Sequence, residues 1–225
     1  MEAIEFIQGA RDVIVALCAA VGACVAVYGL NTWRREHRDT IQYELSRRIL
    51  RALYKVHEKI KTFRNSFMSV SEQFEALKNA GHTVEEIKEN GLLSNKFDID
   101  SAVYSMRWNS LREAFLELDV ETLEAKVLWG DEVPEALKPI EDCVKKLQLT
   151  ARRKQRADSG STKLTPEKME EMDSILYSDN IGDTSEDIFG KKIVDAIRAV
   201  EDLTKPHLHH FNIQYKKHGN KKIKE

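Results

Sequence analysis

The sequence predicts an all-α chain: one N-terminal transmembrane helix continuing into a long cytoplasmic helix that packs in a helical bundle. Three observations predict it. From Val13 to Leu30 no side chain is charged and most are apolar. Leu45, Ile49, Leu53, Val56, Ile60, Phe63 and Phe67 recur three or four residues apart, which places them on one face of a helix. The 225 residues include only 4 prolines and 10 glycines, and few runs alternate as a strand would.

The first element is the span, residues 13–33. As a helix rising 1.5 Å per residue, about 20 uncharged residues cover the roughly 30 Å of a bilayer's hydrocarbon core. A cleaved leader needs a basic start, whereas Glu2, Glu5 and Asp12 outnumber Arg11. Val21-Gly22-Ala23-Cys24 is only faintly like a lipidation site, because the apolar run continues past Cys24. Cys18, Gly22, Ala26 and Gly29 form a stripe of small residues that fits two readings equally, a face on which spans approach closely and self-associate, or the ordinary Ala and Gly content of a membrane helix.

Charge sets the expected orientation. Arg34, Arg35, Arg38, Arg47, Arg48, Arg51, Lys55, Lys59, Lys61 and Arg64 face only Glu36, Asp39, Glu44 and Glu58 over the same stretch. The positive-inside rule then puts the N-terminus outside and the bulk of the chain in the cytoplasm. Trp33, Arg34, Arg35 and Arg38 are the expected membrane-interface residues, and Arg47, Arg48, Arg51 and Lys55 are candidates for contact with anionic lipid. The bilayer is thus the first expected partner. A homo-oligomer and an unidentified cytoplasmic protein are the others. The net charge of −2 argues against a chain that coats nucleic acid.

The periodic face from Leu45 to Phe67 predicts a helical stalk continuous with the span, packing more readily on its own domain than as a coiled coil. Asn79-Ala80-Gly81-His82 and Glu89-Asn90-Gly91 bracket a short helix at 83–89. A long helix follows over 101–129 with Met106, Leu111, Phe115, Leu118, Leu123 and Val127 inward, ended by Gly130. Asp131 and Pro134 open a third helix that buries Leu137, Ile140, Val144 and Leu147 and makes an αα-hairpin; Arg152-Arg153-Lys154-Gln155-Arg156 lies near its end. Thr165-Pro166 starts a short helix. Thr184-Ser185-Glu186-Asp187 starts the last, with Ile188, Phe189, Ile193, Ile197, Val200 and Leu203 inward and Pro206 as its limit. The organisation is therefore a short external N-terminus (1–12), the span (13–33), a basic juxtamembrane stalk (34–78), a bundle packing with the stalk (79–206) and a basic tail (207–225).

Three segments carry a further resemblance: Tyr28-Gly29-Leu30-Asn31-Thr32-Trp33-Arg34-Arg35-Glu36, Tyr43-Glu44-Leu45-Ser46-Arg47-Arg48-Ile49-Leu50-Arg51-Ala52-Leu53-Tyr54-Lys55-Val56, and Leu128-Trp129-Gly130. With them the chain resembles a set of uncharacterised bacterial proteins with one membrane span. The resemblance implies the one-span architecture and a bacterial inner membrane, and carries over no activity, ligand or catalytic residue.

Chemistry-bearing motifs are near misses. His57-Glu58 opens like a zinc-protease helix, but Lys61 stands at the second histidine position. His207, His209 and His210 cluster near the tail and could chelate a metal, although an exposed polar tail explains them better. Asp179-Asn180-Ile181-Gly182-Asp183 lacks the glycine position of a calcium loop. Cys18, Cys24 and Cys143 make no disulfide framework. Lys216, Lys217, Lys221, Lys222 and Lys224 read first as a solvated basic end, then as an anionic-lipid contact and last as a weak nucleic-acid contact. No catalytic, cofactor-binding or metal residue is singled out, no cofactor is implied, and a non-enzyme is expected. The function read from the sequence is a membrane-anchored scaffold presenting a cytoplasmic bundle. The alternative is an oligomeric membrane effector that perturbs or perforates the bilayer, as in phage defence, and an enzyme built from acids in the bundle core ranks third.

Overall fold

The computed structural model describes the backbone of residues 2–90, 96–161, 164–178 and 187–219, and the side chains of 17–87, 98–161, 164–178 and 187–208. Every element among the described residues is helical. They are α1 (Glu2–Phe63), α2 (Val70–Asn79), α3 (Val84–Asn90), α4 (Lys96–Trp129), α5 (Glu132–Asp158), α6 (Pro166–Leu176) and α7 (Ile188–Gly219). The chain divides into two compact units, residues 45–206 and residues 1–44 with 207–225.

In the second of these units, the transmembrane expectation is overturned. Among the described residues no helix is long and apolar enough to cross a membrane. From Leu17 onward Gly22, Tyr28, Gly29, Asn31, Thr32 and Trp33 interrupt the apolar side chains and Arg34 follows them, which lowers the mean hydropathy of the described part of the helix. Val13 to Ala16, the most apolar part of the expected span, fall outside the residues whose side chains are described. The inner-membrane location, the topology with the N-terminus outside, the bilayer partner, and the membrane-anchored and pore-forming readings all rested on that span and are corrected with it. Leu17, Val21, Val25, Val27, Tyr28, Leu30 and Trp33 are exposed on this part of α1.

The unit formed by residues 45–206 holds the buried core. Leu45, Ile49, Leu53, Val56, Ile60 and Phe63 are each at most 2% exposed, as the periodicity predicts. The stripe stops there. α1 ends at Phe63, and Phe67 is 70% exposed in the link to α2. Local chemistry explains the joints. Ser69 caps α2 by accepting from the Glu72 N–H, and Thr83 and Glu86 cap α3 reciprocally, each backbone N–H donating to the other's side chain. Gly130, with φ +79°, turns the chain from α4 into α5 in the left-handed region that favours glycine.

α4 packs on α2 and α5, and α5 on α6. Its core line is Val103, Leu111, Ala114, Leu118 and Ala125, all fully buried. Leu123 and Val127, expected inward, are 66% and 84% exposed. With Leu116 and Val120 they form a second apolar face, and the small Ala114 and Ala125 take the core side because they admit neighbouring helices closely. α4 begins at Lys96, five residues before the expected start. α7 continues through Pro206 to Gly219 instead of ending at the proline.

Two arginines tie the α1–α2 link to the bundle. Arg64, 4% exposed, donates to Asp187 through Nη1 (2.7 Å) and Nη2 (2.9 Å) and to the Ile175 carbonyl through Nε (2.9 Å). Its guanidinium lies 5.1 Å from the centre of the Phe189 ring. Arg107, equally buried on α4, donates to both Glu72 carboxylate oxygens (2.7 and 2.8 Å) and to the carbonyls of Asn65 and Phe67. A guanidinium this deep is tolerated because its donors meet a carboxylate and carbonyls in fork geometry.

Candidate functional site

The residues singled out in the sequence do not assemble into one site. Cys18 and Ala26 are exposed, and a Cβ on Gly22 or Gly29 would meet nothing within 4 Å. Trp33 stacks on His37, 5.5 Å between ring centres, and Arg34, Arg35 and Arg38 are exposed beside it. Arg47 and Arg51 are exposed on α1. Arg48 instead pairs with Glu121 and Glu124 of α4, and Lys55 with Glu117, so these two serve α1–α4 packing. His57 is half-buried; burial first, and then the Lys61 charge, hold its pKa below the usual histidine value, while Lys61 pairs with Glu58. No metal-holding cluster of His, Cys, Asp and Glu occurs among the described residues. His209, His210, residues 179–183 and the lysines from 216 to 224 lie outside the residues whose side chains are described.

Two cavities of the bundle compete as a site, and their electrostatics separates them. The first, about 520 Å³, is lined by His57, Ile60, Lys61, Arg64, Asn65, Ser178, Asp187 and Gly190, with Ile193 and Val194. Its charges are already engaged. Arg64 directs its donors at Asp187, Ile175 and Ser174, and Asp187 accepts from Arg64 and from the Gly190 N–H at 2.7 Å. Burial opposes ionisation of Asp187, but the hydrogen bonds from Arg64 and Gly190 and the Arg64 charge outweigh it, so its pKa is lowered. Asp187 thereby caps α7. A Cβ on Gly190 would lie 2.0 Å from Asp187 Oδ2 and 3.0 Å from Arg64 Nη1, so glycine is required for the pair to form. This is a structural lock.

The second cavity, about 690 Å³, runs between α5 and α6. Asp142, Lys145, Lys146, Leu149, Thr150, Arg153 and Arg156 reach it from α5, spaced so that one helix face carries them all. Leu164, Lys168, Glu171, Met172 and Ile175 line it from the α6 side. Lys145 has counter-ions in Glu141 (3.3 Å) and Asp142 (3.8 Å). Lys146, Arg153, Arg156 and Lys168 make no ion pair with a described residue. Thr150 turns its hydroxyl back to the Lys146 carbonyl (2.8 Å), which leaves the cations as the groove's donors. Met172 and Ile175 are buried beneath them and Leu149 is half exposed at the rim.

No family model, curated protein or solved structure matches this chain. The resemblance drawn from the three sequence segments therefore stands on those segments alone, and the site is argued from its own chemistry. One signal for it was visible in the sequence, the run Arg152-Arg153-Lys154-Gln155-Arg156. The helix sorts that run by face. Arg153 and Arg156 enter the groove, whereas Lys154 turns away to pair with Asp173 and to lie 5.5 Å from the centre of the Tyr177 ring.

Proposed function

We propose that residues 45–206 form a non-enzymatic binding module that takes up an anionic, phosphate-bearing small ligand between α5 and α6. The observation that carries this reading is the cationic excess of one cavity: Lys145, Lys146, Arg153, Arg156 and Lys168 line it against the carboxylates Asp142 and Glu171, and four of the five cations make no ion pair with a described residue, in a chain whose formal net charge is −2. Four other basic side chains of the bundle, Arg48, Lys55, Arg64 and Arg107, meet acids across helices. Two arginine forks at neighbouring helical positions match the geometry of phosphate oxygens, and a lysine facing them from α6 adds a point charge from the other wall. A cavity of this size is in the range that encloses a small molecule.

The test is calorimetric titration of the full chain with inorganic pyrophosphate at 50 and 200 mM salt. Binding that weakens at least severalfold at the higher salt, and is lost in Arg153→Glu and in Lys168→Glu with unchanged melting curves, is the expected result, because exposed charges are screened over about 10 Å at 0.1 M. Heat that is absent in the unaltered chain, or unchanged by both substitutions, overturns the reading.

A further inference from the structure

Resting on the anion-binding reading of the α5–α6 groove, we infer that its ligand is a single-chain amphiphile, an alkyl phosphate whose head meets the cations and whose chain lies along the apolar floor. The floor decides the class. Met172 and Ile175 close the groove from below, Leu164 flanks them, and Leu149 stands 53% exposed beside Arg153. Among the described residues no aromatic ring lines the cavity to stack on a nucleobase, and no Asn or Gln amide lines it to read a base edge. A wholly hydrophilic anion would use the rim and leave the leucine in water. A straight hydrocarbon chain covers it, and the unbranched Met172 side chain adapts to such a surface. Head and tail are thus recognised by two sets of residues on the same two helices.

The test uses the full chain with monomeric butyl, hexyl and octyl phosphate, each below its micellar concentration, against inorganic phosphate and pyrophosphate. Affinity is expected to rise about two- to fourfold for each added methylene, the range for partial to full burial of a CH2 group. Leu149→Gln, a substitution at an exposed helical position, should flatten that dependence, with a melting curve recorded alongside. Arg153→Glu should weaken every member of the series. Octyl phosphate binding no tighter than inorganic phosphate overturns the amphiphile and leaves the anion site standing. No binding by any phosphate overturns both. A chain-length dependence unchanged in Leu149→Gln places the hydrocarbon elsewhere and overturns the inference. Octyl glucoside binding as tightly as octyl phosphate removes the role of the head and overturns it as well.

Discussion

Gly190 is the residue on which the α7 entry turns. Its missing Cβ leaves room for the Asp187 carboxylate to accept from the Gly190 N–H and from Arg64 together. Gly190→Ala should therefore lower stability by about 2–4 kcal/mol in urea denaturation, since it forces apart a largely buried ion pair. On an Asp187→Ala background the same substitution should cost far less, because the clash and the pair are already gone; equal costs on both backgrounds would break the assignment. The lock also sets an acid limit. Asp187 has a lowered pKa in the folded state, so its contribution is present above the unfolded value near 3.9 and is lost as pH falls through the folded pKa. Relative to Asp187→Asn, the unaltered chain should lose stability more steeply below about pH 4. Little of this was legible in the sequence. Arg64 read as one more base of a juxtamembrane stretch, and Gly190 carried no turn signal, because its constraint comes from the Asp187 carboxylate, which is held in place by an arginine 123 positions earlier in the chain.

At the scale of elements, helix existence was legible and helix facing was not. The stripe Leu45 to Phe63, the turn at Gly130 and the start of α6 at Pro166 all follow from spacing and caps. α4 escaped because it is apolar on two sides, so periodicity alone gives it no direction. The structure resolves the ambiguity by volume, with Ala114 and Ala125 against the neighbours and Leu123 and Val127 in the open. Leu118→Ala should accordingly cost about 2–5 kcal/mol, as a fully buried leucine does, and Leu123→Ala within about 0.5 kcal/mol of nothing, both read from urea midpoints. The long α7 was misread for a related reason: Pro206 removes one backbone donor, yet the helix runs through it.

At the scale of the molecule, the sequence's charge asymmetry has a different meaning from the one its order suggests. The bases of α1 that follow Trp33 include Arg48 and Lys55, which meet acids of α4, while the cations that share one cavity lie much later in the chain on α5 and α6. Linear charge density pointed toward a surface outside the protein. Folding neutralises part of that stretch internally and assembles a cationic groove from Lys146, Arg153, Arg156 and Lys168, of which the run 152–156 announces only the two arginines.

The two buried arginines also have a temporal consequence. Arg64 closes on Asp187 and Arg107 on Asn65, Phe67 and Glu72, so both hold the α1–α2 link with partners remote in sequence. Each needs helices on both sides to have docked before its fork can form, which makes the link a late event in folding and an early one in unfolding. Arg107→Met should raise the unfolding rate roughly tenfold to a hundredfold while leaving refolding within about twofold in stopped-flow denaturant jumps, the pattern of a contact absent from the transition state. A matching drop in the refolding rate would instead put this joint among the first parts of the bundle to form.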